Sequence, residues 1–178
     1  MMVSAEEQLI LVDENDREVG AMDKLLVHEK GLLHRAFSIF VFNSKNELLL
    51  QQRADEKYHS GGLWTNTCCS HPRTGEKLSA AVERRLAEEM GMQCPLQFMF
   101  SFIYRMDFEN GLTEHEFDHV FFGRSDEQPT PNPMEVKAFR YIKLEDLQKE
   151  IRQSPDEFSA WLKICLPKVE EHSKKGTE

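Results

Sequence analysis

The stretch SHPRTGEKLSAAVERRLAEEMGM, residues 70–92, decides how this chain is read. Leu78, Val82, Leu86 and Met90 recur at steps of four, which puts them in one apolar stripe along a helix over residues 77–90. Gly91 follows as the C-cap that ends it. Glu76 stands near the helix start, and Glu88 and Glu89 crowd its last turn. Arg84 and Arg85 precede those two by four residues, the spacing of same-face ion pairs. Acid at the negative end of a helix dipole costs from a few tenths to about 1 kcal/mol unless something compensates it. A solvated, ion-paired face accounts for this pattern, and a bound metal would compensate it as well.

Upstream, residues 53–72 are too rich in Gly, polar and charged residues for a core element, yet they hold Trp64, Cys69 and His71. Long irregular loops with such contents are more often sites than spacers. Before them, the aromatic and β-branched run 36–42 joins 47–52 through Asn43-Ser44-Lys45-Asn46, which predicts a hairpin. Residues 9–12 and 18–21 read as an earlier strand pair around a turn at 13–16, and 23–31 as a short helix or a loop carrying His28. Downstream, 98–108 and 114–122 read as two strands around Glu109-Asn110-Gly111. Residues 128–133 hold three prolines and must be a loop. A last strand at 139–142 precedes helices at 144–151 and 158–171. Pro155 separates these helices, and Pro167 marks where the second bends or stops. Residues 172–178 are expected to be a frayed, flexible tail.

A chain of 178 residues with 40% hydrophobic content can build the core of one domain, here read as residues 1–178 with its core at about 9–171. Net charge is -9, from 22 Lys and Arg against 31 Asp and Glu, which argues against a general nucleic-acid binder. A phosphate ligand must then be held by a few local cations or by metal. The opening MMVSAEEQLI has neither a basic start nor an apolar run, and no stretch approaches the ~18 apolar residues of a membrane helix. A cytoplasmic protein without membrane insertion is the expectation. Cys68, Cys69, Cys94 and Cys165 form no CxxC pair, so neither a disulfide framework nor a zinc knuckle is suggested. Cys68 and Cys69 would point to opposite faces of an extended segment, so at most one faces a given pocket.

Glu114 and Glu116, two apart in a predicted strand, emerge from one face and repel unless a cation or proton lies between them. His28 and His34 are six apart and form no helical ligand pair. Each alone reads as a surface or packed histidine. Joined by His71 and the two glutamates, they would form a shell of three nitrogens and two carboxylates suited to Mn2+, Mg2+, Zn2+ or Fe2+. Spacing alone leaves open whether the pieces meet.

Glu76, Arg84, Glu88, Glu89 and Gly91 fall at positions resembling the Nudix box, a loop-helix-loop whose acids bind metal on diphosphates. Two residues depart from it. Ser70 stands at the usual first glycine, and Arg85 replaces the glutamate after the box arginine, a cation that counts against hydrolysis. Three flanking segments narrow the likeness: GLLHRAF (31–37), WTNTCCSHP (64–72) and EHEFDHV (114–120) are similar to type 1 isopentenyl diphosphate isomerases. The resemblance covers roughly residues 9–165. His59-Ser60-Gly61 departs from the usual approach to Trp64 and bears on loop geometry, without removing an expected catalytic group.

The resemblance implies an α/β (α+β) Nudix fold, mixed sheet between helices with an N-terminal extension. It also implies metal-dependent conversion of isopentenyl diphosphate to dimethylallyl diphosphate. His28, His34, His71, Glu114 and Glu116 would hold Mn2+, Mg2+ or Zn2+. Glu89 and the backbone carbonyl of Cys69 would contact a second metal, the Mg2+ on the substrate diphosphate. Lys24, Arg53, Lys57 and Arg85 would bind that diphosphate. Cys69 and Glu116, the latter with Tyr104, would transfer protons on opposite sides of the carbon chain, and Trp161 would face the allyl portion. No organic cofactor, nucleic acid or obligate protein partner is implied. Two other readings are hydrolysis of a nucleoside diphosphate derivative, which releases phosphate or nucleotide, and a non-enzymic metal-binding or interaction protein, which tolerates loss of Cys69 or Glu116.

Overall fold

The computed structural model describes residues 8–57 and 59–175. The opening residues 1–7, and with them most of the MMVSAEEQLI segment, lie outside the described residues. Strand β1 (Gln8–Val12) pairs antiparallel with β2 (Glu18–Asp23) as the N-terminal hairpin. Residues 23–31, left open by the sequence, form helix α1 (Lys24–Lys30). The Asp23 side chain accepts hydrogen bonds from the amides of Leu25 and Leu26, and Gly31 in the left-handed region (φ 63°) closes the other end.

β3 (His34–Phe42) is the central strand, buried along nearly its whole length. On one edge it runs parallel to β8 (Thr113–Arg124), in register from His34–Glu116 to Phe42–Arg124. Its other edge is shared in succession. β1 meets it at His34, β6 (Cys68–Ser70) at residues 37–39, and β4 (Glu47–Arg53) at Phe42. The expected hairpin of residues 36–52 is therefore closed only at its turn, and its strands diverge into different neighbours. β4 pairs with β9 (Val136–Lys143) and with the two-residue β5 (Trp64–Thr65). β7 (Leu96–Asp107) pairs antiparallel with β8, as expected from the turn at 109–111. The result is a mixed sheet.

Period-two alternation gives this sheet two unlike faces. Phe37, Ile39, Val41, Cys68 and Phe121 pack against α2 (Leu78–Met90), whose Val82, Leu86 and Met90 are buried among them. That burial is the predicted stripe. The other face is apolar at one end, where Phe40, Phe42, Val120 and Leu50 meet Leu162, Cys165, Leu166 and Val169 of α4 (Ala160–Lys175). Pro167 lies inside α4 without ending it, and the helix takes in residues 172–175 of the expected tail, while 176–178 lie outside the described residues. α3 (Leu144–Gln153) and a 3-10 turn (Pro155–Glu157) lead into α4.

Candidate active site

The same strand face that is apolar at one end is polar at the other. Alternation along β3 aligns His34 and Ser38 with Phe40, and register sets Glu116 and Cys69 beside them: His34 pairs with Glu116, Tyr104 with Glu116, and Ser38 with Cys69. Cys69 thus lies on this face and Cys68 on the α2 face, fully buried. A cavity here is lined by Lys24, Arg53, Lys57, Cys69, His71, Arg85, Glu89, Tyr104, Glu114, Glu116 and Trp161. His28 and His34 are buried behind it. The predicted residues, scattered from 24 to 161, are brought together.

Three imidazoles and a carboxylate converge. The accepting atoms of His28, His34, His71 and Glu114 all lie within 4.8 Å of one another. Nδ1 of His28 is 2.6 Å from the Lys24 carbonyl and Nδ1 of His34 is 2.9 Å from that of Leu32. A carbonyl only accepts, so both Nδ1 atoms carry hydrogen and, in the neutral rings, both Nε2 lone pairs point inward. Nε2 of His28 sits 3.3 Å from Oε2 of Glu114, yet that oxygen and Nε2 of His34 are buried without a hydrogen-bond partner. Acceptors facing acceptors in a buried space need a cation. Carbonyl-anchored histidines are also the usual support of metal-ligating ones, so these residues fit a divalent metal. Glu116 stands at the edge of the group, with Oε1 at 3.1 Å from His71 Nε2 and 3.6 Å from His34 Nε2, while Oε2 accepts from Tyr104 at 2.8 Å.

Charge at the site follows from these contacts. Burial alone would push the Glu116 carboxyl up, but a proton taken up by His34, whose Nε2 lies 3.6 Å from Oε1 and whose own pKa Glu116 raises, outweighs it and holds the group down at about 2. Glu114, raised by burial and by Glu116, is brought below its usual range by the neighbouring imidazoles of His28 and His59. Burial, then His34, lowers His71 and keeps it neutral. Burial and the charge of Glu116 raise the Tyr104 phenol, so Tyr104 keeps its hydrogen.

On the far side of β3, Cys69 is wired through a buried polar cluster. Its Sγ donates to Oδ1 of Asn66 at 3.0 Å, and Asn66 is fixed by donating to the carbonyls of Ile39 and Cys68. Ser38 Oγ lies 3.6 Å from the sulfur and donates to Asp118 at 2.7 Å. Burial, then the charge of Asp118, raises the thiol well above its ordinary value, so sulfur holds its proton at rest. Loop 53–72 is therefore no solvated spacer: Thr65, Asn66 and Thr67 are fully buried, and Thr65 accepts from Ser159 at the start of α4.

At the cationic end, the expected pairs Arg84–Glu88 and Arg85–Glu89 both form. Together with Gln51, which donates to Glu89 at 2.9 Å, they compensate the acids in the last turn of α2. Arg84 also grips Glu76 through two bonds of 2.7 and 2.9 Å. Lys57 and Arg85 meet at Glu135, a residue outside every motif. Arg53 stacks over Trp161, with its guanidinium carbon 5.1 Å from the ring centre.

A family model for the NUDIX domain matches residues 32–162. An isopentenyl-diphosphate Delta-isomerase of Aromatoleum aromaticum is 54% identical over 92% of this chain and 87% of its own. Those of Burkholderia multivorans (54%; 92% and 93%) and Pectobacterium atrosepticum (48%; 93% and 92%) are similar to it over almost their whole lengths. The chain belongs to the isopentenyl-diphosphate Delta-isomerase family, within the Nudix superfamily. Among solved structures, DR0079 from Deinococcus radiodurans superposes with a TM-score of 0.76 at 23% identity, covering 91% of this chain and 98% of that one. A MutT protein from Methanosarcina mazei gives 0.66 at 16%, covering 80% and 96%. These two likenesses concern the fold alone. As a member of the isomerase family the chain is an intramolecular C=C isomerase, and its histidine and carboxylate cluster makes it a metal-dependent one.

Several residues of this isomerase site carry no signal in the sequence. Ser38 looks like any residue of a buried strand, and Asp118 like part of a polar strand. Glu135 follows a proline-rich loop. Asn66 and Asp118 lie inside the segments 64–72 and 114–120, and their tasks, holding the sulfur and accepting from Ser38, are visible only once the cluster is assembled. Among the described residues no helix is long and apolar enough to cross a membrane.

Proposed function

We propose that this cavity converts isopentenyl diphosphate to dimethylallyl diphosphate by moving a proton on to C4 and another off C2. The observation that carries the reading is a single strand face on which Cys69 and the Glu116–Tyr104 pair flank β3 from opposite edges and open into one cavity. A 1,3-shift on an unactivated alkene needs an acid and a base on facing walls, because the proton arrives and leaves on opposite sides of the chain. In the forward direction the Glu116–Tyr104 pair delivers the proton to C4 and Cys69 removes the one from C2. The reaction is reversible, so each group serves as acid in one direction and base in the other. At rest the proton sits on sulfur and Glu116 is ionised, so forward turnover starts once that proton has passed to the carboxylate side and left a thiolate at Cys69.

The positive charge that develops at C3 has to be stabilised without water. Trp161, only 6% exposed, lines the cavity and already accepts one cation, Arg53, on its ring. A second cation at that π system gains about 2 kcal/mol or more once desolvated. Excluding water also protects it from capture. Lys24, Arg53, Lys57 and Arg85 hold the diphosphate, and Arg85 sits where hydrolases of this superfamily need an acid. His28, His34, His71, Glu114 and Glu116 hold Mn2+, Mg2+ or Zn2+, while Glu89 and the carbonyl of Cys69 hold the Mg2+ that accompanies the substrate. An ion held there would supply the positive charge that buried Glu114 and Glu116 need. The whole chain serves as one such domain in the cytoplasm, with no nucleic acid, membrane or obligate protein partner.

Incubation with isopentenyl diphosphate and Mg2+ in D2O tests this. The expected result is deuterium in the methyl and methylene positions of both isomers and no phosphate release. Phosphate or nucleotide release from a panel of nucleoside diphosphates, with no exchange, would overturn it.

A further inference from the structure

His59 has no role in the scheme above, yet it lies inside the site. Its side chain is 9% exposed and its Nε2 is 2.8 Å from Oε1 of Glu114. Nδ1 lies 3.4 Å from the hydroxyl of Ser60. With that hydroxyl donating to Nδ1, the hydrogen of the neutral ring stands on Nε2 and is donated to Glu114. The ring is also wedged between two aromatics. It stacks on Phe108 (centroids 5.3 Å, 20° between planes) and meets Trp161 edge-on (5.8 Å, 87°).

The backbone that aims this imidazole is written into HSGG, residues 59–62. Ser60 is in the left-handed region at φ 53°, and Gly62 has φ 76°. A Cβ on Gly61 would sit 2.4 Å from the carbonyl oxygen of Asp55, closer than any side chain tolerates. Arg53 donates to the His59 carbonyl at 3.3 Å and ties the turn to β4.

The two oxygens of Glu114 therefore differ. Oε1 is taken by His59, while Oε2 is buried without a partner, 3.3 Å from Nε2 of His28 and 4.0 Å from that of His34. A carboxylate pinned by one oxygen offers the other in a fixed direction, which is how outer hydrogen bonds orient metal ligands. We infer that His59 is a positioning residue of the metal centre: it fixes Glu114 to present one oxygen beside His28 and His34, and its ring links that centre to Trp161. This inference rests on the metal reading above.

The test titrates the metal-free protein with Mn2+, reading free Mn2+ by electron paramagnetic resonance, and follows each variant's metal-free melting temperature. Wild type should bind one ion tightly, and H28A should abolish that binding. H59F keeps an aromatic ring but loses the donor, and should weaken binding on the order of 10- to 100-fold. H59Q, whose amide can reach Glu114, should recover most of that loss. S60A leaves the ring in place but removes the hydroxyl at Nδ1, and should weaken binding by about 3-fold, a partial form of the same loss. It therefore decides the matter if H59F does not fold. Wild-type affinity in H59F, equal weakness in H59F and H59Q, or, where H59F is unfolded, no change in S60A would overturn the role of His59 while leaving the metal centre standing. Wild type that binds no Mn2+, or binding indifferent to H28A, would sink the centre itself and His59's role with it.

Discussion

Tyr104 and Glu116 are register partners on β7 and β8, and the phenol donates to Oε2 of the carboxylate at 2.8 Å while Oε1 faces His71 and His34. One oxygen thus belongs to the proton-transfer side and the other to the metal side. Removing the phenol should damage chemistry without disturbing the metal. A hydrogen bond to a charged group is worth about 1.5–3 kcal/mol, roughly 10- to 150-fold in rate. Y104F is expected to lose turnover in that range with KM and Mn2+ affinity near wild type. E116Q should lose at least ~10^2-fold. Steady-state kinetics and metal titration on both variants check the split, and a Y104F enzyme with unchanged kcat would remove the phenol from the mechanism.

Cys69 has no neighbour that can replace its sulfur, since Asn66 and Ser38 only hold it in place. C69A should reduce turnover by at least ~10^2-fold. The thiol is small and part-buried, so the metal-free melting temperature should change by only a few degrees. Near wild-type turnover in C69A, measured by deuterium exchange as well as by product formation, would reject the assignment.

Trp161 presents a π face that Phe can partly replace and Ala cannot. W161F should therefore keep more activity than W161A, because the smaller ring retains a weaker cation–π interaction. If the two fall equally in kcat, water exclusion by bulk and not the π face would explain the residue.

Much of this was legible in residues 70–92. The four-step apolar spacing gave the buried face of α2, and the arginine-to-glutamate spacing gave its ion pairs, because helical neighbours are fixed by local geometry. The paired glutamates at 114 and 116 likewise follow from strand alternation. What could not be read is the joining of segments. β3 looked like half of a hairpin, but its edges are filled by β8, β6 and β1, and that parallel pairing alone sets His34 beside Glu116. Contacts made by long-range register, such as Lys57 to Glu135 and His59 to Glu114, leave no periodic trace. Pro167 sits within α4 without stopping it, because the helix is held by the core contacts of Leu162, Leu166 and Val169, which outweigh one missing amide hydrogen.

Glu76 couples the loop before α2 to the helix, accepting from Arg84 and from the Arg73 amide. The bond from Arg84 is the main cause that lowers its carboxyl below the usual range. A carboxyl depressed in the folded state binds its proton less tightly there than in the unfolded chain, whose glutamate titrates near ~4.3. Its stabilisation is full above that value and is lost as pH falls through the lower, folded one. E76Q should accordingly be less stable than wild type at pH 7, with the gap narrowing below about pH 4.5. Denaturant midpoints at pH 7, 4.5 and 3.5 check this, and a gap that widens on acidification would contradict the pairing.

Gly61 and Gly75 separate two reasons for a glycine. Gly75 has φ 77° with nothing within 4 Å of an added Cβ, so G75A meets only the left-handed backbone cost of about 1–2 kcal/mol. Gly61 would drive a Cβ to 2.4 Å from a backbone carbonyl, and that oxygen cannot rotate away as a side chain would. G61A must therefore push the turn itself, at a cost of about 1–3 kcal/mol, and the turn carries His59 toward Glu114. G61A should lose melting temperature and Mn2+ affinity together, whereas G75A should lose only the first. Equal metal affinity in the two variants would mean that the turn at 59–62 moves without reaching Glu114.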